Sequence, residues 1–327
     1  MRSPAFWWRA EPSPLARLLT PASALYGAVA GRRMGRGGER AAVPVVCVGN
    51  FTAGGAGKTP TALRLAAMLR AAGESPVFLT RGYGGRLAGP LRVEAQHEPD
   101  EVGDEPLLLA RVAPTIVSGD RPAGARLAAR LGASVIVMDD GLQNPSLAKD
   151  LAIAVVDGAA GFGNRMPLPA GPLRAPLDAQ WARADAMLII GEGGAGSAVA
   201  EEARALGKPV WLGRLSPAPD AAARLAGRRV LAFAGIGRPE KAFETIRECG
   251  AEVVATRAFP DHYAFSAADL AALRAEAGRR KLTLVTTEKD LVRLRGADDV
   301  LALPVALDVE DEEGLRAFVL ARLSLRT

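Results

Sequence analysis

A glycine-rich stretch of eight residues carries the clearest chemistry in the sequence: Thr52-Ala53-Gly54-Gly55-Ala56-Gly57-Lys58-Thr59. Glycines let backbone N–H groups converge on one anion, because no Cβ atom stands in the way. The lysine can reach the β- and γ-phosphates of a nucleotide, and the last threonine can hold Mg²⁺ through its hydroxyl. The stretch therefore predicts a P-loop whose eight residues bind ATP, although Thr52 replaces the first glycine of the strict pattern.

Two aspartates stand where a P-loop enzyme keeps its metal-binding acid. The apolar run 135–138 ends in Asp139 and Asp140, which is the layout of a Walker B strand. Such an acid holds Mg²⁺ directly or through water. We expect Thr59, Asp139 and Asp140 to form the metal site, with either aspartate able to contact the ion.

Two further polar residues have more than one possible role. Asp104 begins an apolar helix, where a carboxylate serves either as a helix cap or as a group beside the phosphate site. His262 lies in a loop between Asp261 and Tyr263. Taken alone, the residues favour capping for Asp104 and an exposed structural role for His262.

Alternating strands and helices must position these residues. The apolar run 45–48 predicts a strand before the P-loop, and apolar positions three and four apart over 61–69 predict a helix after it. Apolar runs predict further strands at 76–80, 115–117, 135–138, 152–157, 185–191, 230–234, 253–255, 282–286 and 301–307. The pattern indicates an α/β fold with a parallel sheet of the P-loop NTPase type, and a second, smaller α/β domain.

The composition limits the class of protein. The chain has 327 residues, enough for two domains, with 49% apolar and 24% charged residues, as in soluble globular proteins. Cys47 and Cys249 lie far apart in apolar surroundings, which fits buried thiols better than a disulfide. Only two histidines are present, so a histidine-rich metal site is excluded.

The positive charge is concentrated at the N-terminus. The net charge is +5, and residues 1–43 alone contain seven arginines and two glutamates. The rest of the chain is neutral, which disfavours a general nucleic-acid-binding surface. The apolar part of this segment is interrupted and shorter than the roughly 20 residues that span a bilayer. It predicts an amphipathic helix, lying either in a membrane interface or on the protein's own surface.

Seven motifs, taken together and in order, resemble the tetraacyldisaccharide 4'-kinase family, the lipid A 4'-kinases of Gram-negative bacteria. The motifs are Val-Gly-Asn-x-Thr-x-Gly-Gly-x-Gly-Lys-Thr-Pro (48–60), Thr-Arg-Gly-Tyr-Gly-Gly (80–85), Val-Gly-Asp-Glu-Pro (102–106), Asp-Asp-Gly-Leu-Gln (139–143), Pro-Ala-Gly-Pro-Leu-Arg (169–174), Phe-Pro-Asp-His-Tyr (259–263) and Thr-Glu-Lys-Asp (287–290). The resemblance covers nearly the whole chain, and Thr52 fits the family's own form of the loop.

The resemblance implies an activity and gives roles to single residues. The γ-phosphate of ATP would pass, with Mg²⁺, to the 4'-hydroxyl of a tetraacylated glucosamine disaccharide 1-phosphate, giving lipid IVA. Asp104 would be the catalytic carboxylate, working with His262, and Lys58 would neutralise developing charge. These roles replace the capping and structural interpretations. Arg174 could contact phosphate.

The resemblance also implies an organisation. Residues 1–43 would contact anionic lipids at the cytoplasmic face of the inner membrane, without a nucleic-acid partner. Residues 44–208 would form the kinase domain, and 209–327 a C-terminal domain closing the active-site cleft. Asn144 and Ala175 stand where the family often has His and Glu, so the roles of those side chains are not carried over.

Two other functions are open from the residues alone. A nucleotide-driven switch or assembly ATPase shares this form of P-loop, but it commonly has a second lysine early in the loop, where Thr52 and Ala53 stand here. A kinase of a soluble small molecule would leave the amphipathic N-terminus unexplained. A GTPase is disfavoured, because Lys289 and Asp290 are adjacent rather than spaced as in Asn-Lys-x-Asp.

Overall fold

The computed structural model describes residues 3–325 and divides them into two compact units. The smaller unit comprises residues 216–306, and the larger comprises 3–215 with the chain from 307 onward. Met1 and Arg2, at the start of the predicted N-terminal segment, lie outside the described residues. The predicted division into 1–43, 44–208 and 209–327 stays a prediction, since compactness alone does not define a functional domain.

Helices and strands alternate along most of the chain. The helices are a 3-10 helix (Ala5–Trp8), α1 (Pro14–Leu18), α2 (Thr20–Met34), α3 (Lys58–Ala71), α4 (Pro99–Val102), α5 (Asp104–Ala110), α6 (Arg121–Arg130), α7 (Leu177–Trp181), α8 (Gly194–Ala205), α9 (Pro219–Leu225), α10 (Pro239–Glu248), α11 (Ala267–Arg280), α12 (Glu288–Leu291) and α13 (Glu312–Ser324). The strands are β1 (Val45–Gly49), β2 (Pro76–Thr80), β3 (Leu91–Arg92), β4 (Thr115–Val117), β5 (Val135–Asp139), β6 (Leu151–Asp157), β7 (Ala186–Ile190), β8 (Val210–Pro217), β9 (Arg229–Ala234), β10 (Glu252–Ala258), β11 (Thr283–Thr287), β12 (Val300–Leu303) and β13 (Val305–Val309). The order confirms the predicted α/β class.

A nine-stranded sheet forms the core of the larger unit, in the order β13-β8-β7-β6-β1-β5-β2-β4-β3. The strands from β8 to β4 pair in parallel, and β3 pairs antiparallel to β4. A parallel sheet is covered on both faces, so its central strands are continuously apolar. Every residue of β1 is buried, with Val45 and Cys47 in one core cluster and Val46 and Val48 in the other.

The smaller unit contains a four-stranded parallel sheet in the order β10-β9-β11-β12. Side chains of β9 alternate between two core clusters. Val230 and Ala232 belong to one cluster, and Leu231 and Phe233 belong to the other. The second α/β series of the sequence is therefore a separate sheet with its own core.

The predicted final strand, 301–307, is wrong as a single element. β12 ends at Leu303 and β13 begins at Val305, and the two strands belong to different sheets. Pro304 lies between them, and proline has no N–H to donate to a strand ladder. The helix that follows, α13, packs Leu315 into the core of the larger sheet.

The N-terminal segment is helical, as predicted, with a break between α1 and α2 at Leu19. Among residues 3–325, no helix combines the length and the apolar character that crossing a bilayer requires.

Candidate active site

The predicted P-loop lies between β1 and α3, at the carboxyl end of the sheet. Gly54 and Gly57 have positive φ angles of 120° and 91°, which other residues adopt only with strain. A Cβ atom on Gly57 would lie 2.6 Å from Cδ1 of Ile190, whereas one on Gly54 or Gly55 would meet no atom within 4 Å. The loop is therefore packed at its helix end and open at Gly54 and Gly55, where a phosphate needs space.

Backbone hydrogen bonds shape the start of the loop. The Asn50 side chain, which is fully buried, donates from Nδ2 to the carbonyl oxygens of Thr52 (2.7 Å) and Gly54 (3.2 Å). The Ala53 N–H donates to the Pro172 carbonyl at 2.7 Å. Because these contacts use the main chain, the first loop position tolerates a threonine in place of glycine. The sequence motif contains Asn50, but residue spacing gave it no role.

Both aspartates of the predicted Walker B motif lie beside the P-loop. β5 is the immediate neighbour of β1, with Asp139 opposite Val48, and it ends at Asp139. Asp139 is buried. Asp140 follows in a left-handed backbone conformation, with φ of 52°, so its side chain points differently from that of a continued strand.

Asp140 makes two contacts with cations in the site. Its Oδ1 atom lies 2.7 Å from Nη1 of Arg174 and 3.8 Å from Nζ of Lys58. Burial alone would raise the pKa of Asp140, but the charges of Lys58 and Arg174 outweigh it and hold this pKa below its usual value. Asp140 therefore remains a carboxylate, and it orders the P-loop lysine.

Arg174 joins three segments of the site. Besides its contact with Asp140, it donates from Nε to the Thr52 carbonyl at 3.1 Å, and its backbone N–H donates to the Phe51 carbonyl at 2.8 Å. The long Gly/Pro-rich loop around it thus forms a wall of the P-loop. The resemblance suggested only a phosphate contact for Arg174, and the sequence contained no signal for its pairing with Asp140.

Asp104 lies at the same edge of the sheet, because the start of α5 packs against the loop that follows the carboxyl end of β2. The helix cap is Gly103, with φ of 93°, and Asp104 is the first helical residue. Its side chain is only 4% exposed, and Oδ1 accepts from the Glu105 N–H at 2.9 Å. A carboxylate is costly to bury, which favours a functional role over simple capping.

The tyrosine–glycine loop at the end of β2 supports the start of α5. A Cβ atom on Gly85 would lie 2.6 Å from the Glu101 carbonyl oxygen, and one on Gly103 would lie 2.6 Å from the Tyr83 carbonyl oxygen. The two main chains can approach this closely only without side chains. Motifs 80–85 and 102–106 are therefore one structural unit that positions Asp104.

His262 belongs to the smaller unit and has a strained backbone, with φ of 55°. Its N–H donates to the Gly235 carbonyl at 3.0 Å. The Nε2 atom of its half-buried imidazole lies 3.5 Å from Nζ of Lys289 and 4.0 Å from Oδ1 of Asp261. A left-handed residue that its neighbours hold in place is typical of functional sites.

A buried ion pair holds the turn that carries His262. Asp290 is fully buried, and its Oδ1 accepts from Nη1 of Arg293 at 2.8 Å. Asp290 also accepts from the Gly235 N–H at 3.0 Å, and Arg293 donates to the Gly235 carbonyl at 2.9 Å. Both groups of Gly235 are thereby fixed. Residue spacing gave this pair no role, although Asp290 ends the Thr-Glu-Lys-Asp motif.

The N-terminal helices contact the same loop that carries Arg174. The Ser23 hydroxyl donates to the Pro167 carbonyl at 2.7 Å, the Tyr26 hydroxyl to the Arg174 carbonyl at 3.1 Å, and the Trp7 indole to the Pro169 carbonyl at 3.0 Å. One side of the segment thus packs on the protein. Its other side exposes large apolar side chains, namely Leu15, Leu18, Leu25 and Val29.

Comparisons with known proteins identify the family of this chain. The family model described as tetraacyldisaccharide-1-P 4'-kinase matches residues 15–324. A tetraacyldisaccharide 4'-kinase of Methylobacterium nodulans is 61% identical over 325 residues, covering 99% of this chain and 96% of the relative. That of Methylobacterium sp. strain 4-46 is 62% identical over 326 residues, covering 99% and 98%.

A solved structure shares the fold over nearly the same length. The structure described as the apo form of LpxK from Aquifex aeolicus in complex with ATP has a TM-score of 0.74 and 28% identity. The match covers 94% of this chain and 99% of the other. Given the family match over residues 15–324 and relatives near 60% identity, the chain belongs to the tetraacyldisaccharide 4'-kinase family.

Proposed function

We propose that this chain transfers the γ-phosphate of ATP to the 4'-hydroxyl of a tetraacyldisaccharide 1-phosphate, giving lipid IVA. The observation that carries the proposal is the meeting of Lys58, Asp140 and Arg174 around an open P-loop. The buried carboxylate of Asp104 lies at the same sheet edge. Family membership identifies the acceptor class, which the P-loop alone does not.

Each step of the transfer has a residue assigned to it. The 4'-oxygen bonds to the γ-phosphorus as the bond to the β–γ bridging oxygen breaks, and ADP leaves. We propose that Asp104 takes the hydroxyl proton and that Lys58 neutralises charge on the transferring phosphoryl group. His262 is proposed to assist Asp104. Residues 52–59 are proposed to bind the ATP phosphates.

Mg²⁺ is the proposed metal, and the chemistry of the residues present suits it. Mg²⁺ in nucleotide sites takes one or two carboxylates, with waters and substrate phosphates completing the shell. Thr59 at the start of α3 and the Asp139–Asp140 pair at the end of β5 offer this donor set. Within residues 3–325, no group of three or more His, Cys, Asp or Glu side chains is arranged to hold a metal ion.

Contact with the membrane is proposed for the N-terminal segment. Leu18, Leu25 and Val29 are 76%, 70% and 61% exposed, and Arg32 and Arg33 occupy the last turn of α2. Apolar side chains beside arginines suit an interface of anionic lipids. We place the protein peripherally at the cytoplasmic face of the inner membrane, where a lipid acceptor would be met. No nucleic-acid partner is proposed, because the charges outside this segment balance.

One assay tests the proposed reaction. Purified protein receives radiolabelled ATP with detergent-dispersed tetraacyldisaccharide 1-phosphate, and a parallel reaction omits the lipid. We expect label in the lipid fraction only when the acceptor is present. ATP hydrolysis at the same rate with and without the lipid would instead support a nucleotide-driven switch. A third reaction replaces the lipid with a soluble cell extract, and label transferred only to soluble components there would support a small-molecule kinase.

A second experiment tests the proposed partnership of Asp104 and His262. If the two act as one unit, the variant that combines Asp104→Ala with His262→Ala should be no slower than the worse single variant. Losses that multiply in the double variant would show independent roles and contradict the partnership.

A further inference from the structure

A cavity of about 360 Å³ lies in the larger unit. Its lining includes four cationic side chains and one anionic side chain, namely Arg36, Arg40, Lys149, Arg183 and Asp185. We call this space the basic cavity. Its volume is that of a small-molecule site, and the reaction proposed above uses none of its charged residues.

The basic cavity lies at the opposite end of the strands from the nucleotide. Asp185 immediately precedes β7, and Lys149 lies two residues before β6, next to Asp150, whose N–H donates to the carbonyl of Val45, the first residue of β1. In the lining, only Leu142 closely follows the carboxyl end of a strand, β5. The P-loop follows the carboxyl end of β1. A ligand in the basic cavity therefore cannot be the phosphates of a nucleotide on the P-loop.

Three of the four cations in this cavity face solvent and no acidic side chain, since Arg36, Arg40 and Arg183 are all exposed. The guanidinium groups of Arg36, Arg40 and Arg183 have no hydrogen-bond or ion-pair partner within residues 3–325. The single acid, Asp185, is already engaged: it accepts from the Ala152 N–H at 2.8 Å, and its other oxygen lies 3.6 Å from Arg322.

The pKa of Lys149 shows the effect of burial and of the neighbouring positive charges. Its ammonium group donates to the carbonyl oxygens of Leu142, at 3.4 Å, and Asn144. Burial lowers the pKa of Lys149, and the charges of Arg183 and Arg121 lower it further. Water and salt screen the repulsion among the exposed arginines, and an anion bound among the four cations would reduce it further.

The frame of the basic cavity is preformed. Gly38, between the two N-terminal arginines, packs so closely that a Cβ atom there would collide with the Pro145 carbonyl oxygen. The Glu39 N–H donates to the Ser146 carbonyl, and the Ala148 N–H donates to the Glu39 carbonyl, both at 2.9 Å. The packing of Gly38 and these two hydrogen bonds therefore fix the position of the backbone that carries Arg36 and Arg40.

We propose that the basic cavity binds a phosphate ester group. Several guanidinium groups around one space suit an anion with several oxygens and more than one negative charge, since each planar fork pairs with two oxygens. Two sources supply this chemistry: a free phosphorylated small molecule, or the headgroup of an anionic phospholipid. Met34, the last residue of α2, lines the cavity, and α2 exposes Leu25 and Val29; a headgroup is therefore within reach if this helix contacts a bilayer.

The test compares wild-type protein with two double variants that lose the same charge. The cavity variant is Arg40→Gln with Arg183→Gln, and the control is Arg130→Gln with Arg204→Gln, whose arginines are exposed at other helix ends. A non-hydrolysable ATP analogue fills the P-loop throughout. One arm titrates sn-glycerol 3-phosphate and inorganic phosphate by calorimetry; the other measures binding to phosphatidylcholine vesicles with and without phosphatidylglycerol.

We expect wild type and control to bind at least one probe, and the cavity variant to bind it at least about tenfold more weakly. If the cavity variant binds glycerol phosphate more weakly than wild type does, the natural ligand is a free phosphate ester. If only its binding to phosphatidylglycerol vesicles is weaker, the natural ligand is a phospholipid headgroup. The cavity variant should also melt at or above the wild-type temperature, because it loses repulsion. The proposal is overturned if the three proteins bind both probes equally or if wild type binds neither.

Discussion

Arg174 and Asp140 form an ion pair of 2.7 Å that connects the Gly/Pro-rich loop to the Walker B strand. The same guanidinium donates to the Thr52 carbonyl, and the same carboxylate faces Lys58. One contact thus sets the position of the P-loop backbone and of its lysine. It connects residues 34 positions apart in the sequence.

The first prediction concerns the energy of this pair. The effects of Arg174→Ala and Asp140→Asn on the free energy of unfolding should not be additive, because each substitution removes the partner of the other residue. We expect a coupling energy of about 0.5–3 kcal/mol in a double-mutant cycle. Urea unfolding of the two single variants and the double variant measures it. The exposed pair Arg126–Glu39, also with a short contact of 2.6 Å, is the matched control and should show less coupling. Equal coupling in both cycles would contradict a special role for Arg174.

The second prediction concerns Asp104, the proposed catalytic carboxylate. Asp104→Asn keeps the shape of the side chain and its acceptor for the Glu105 N–H, but it removes the proposed base. We expect kcat to fall about 10²–10⁴-fold, with the affinity for ATP unchanged. Glu105→Gln, one residue further along α5, is the control and should retain most activity. Assays of kcat together with nucleotide titration separate the two effects, and near-wild-type turnover by Asp104→Asn would refute the assignment.

The third prediction follows from the lowered pKa of Asp140. Lys58 and Arg174 stabilise its charged form in the folded protein, against the opposing effect of burial. The stability from this group is therefore complete above the unfolded pKa of about 3.9 and is lost as the pH falls through the lower folded pKa. We expect the free-energy gap between wild type and Asp140→Asn to narrow as the pH drops below about 4. Curves that stay parallel down to acid unfolding would show that the carboxylate is not stabilised in this way.

The fourth prediction concerns the buried pair behind His262. Arg293→Met would leave Asp290 buried without its cation, and breaking such a pair typically costs about 3–5 kcal/mol. Arg257→Gln, which breaks the more exposed Arg257–Glu276 pair, should cost about 1 kcal/mol or less. Denaturant unfolding measures both. Similar costs for the two variants would mean that the fixed Gly235 turn does not depend on the pair.

The fifth prediction concerns the cysteines, which are free and buried in the structure as the sequence predicts. Burial raises the pKa of the Cys47 thiol to about 11 and also raises that of Cys249. Since the thiolate is the reactive form, neither should react with a thiol reagent at neutral pH until the protein unfolds. A surface cysteine introduced by Ser197→Cys should react at once. Rapid labelling of native Cys47 would contradict the packing around β1.

Local sequence patterns were sufficient to predict the features whose residues all lie within one short segment. The P-loop 52–59 could be predicted from the sequence because its glycines, the apolar run before it and the helix periodicity after it are all local properties. The capping box at the start of α11 is equally local, because the Ser266 hydroxyl accepts from the Asp269 N–H three residues later. Such a segment can be recognised from its residues in any fold that contains it.

Other features depend on contacts between segments that are far apart in the sequence, and no local pattern predicts such contacts. The split at Pro304, the pairing of Arg174 with Asp140, and the contact of Tyr26 with the Arg174 loop each join segments from distant positions or separate sheets. The basic cavity is of the same kind, since its arginines come from residues 36, 40 and 183.

The sequence by itself determined the class of fold and the family, and it predicted the nucleotide loop and the strand that would carry the metal-binding acid. The tertiary structure decided which aspartate meets Lys58 and Arg174, and that Asp104 is buried at the same sheet edge. It also decided that the N-terminal helices rest on the loop of Arg174. The physical reason is that burial and charge pairing depend on distances between atoms far apart in the chain, and only the packed sheet brings those atoms together.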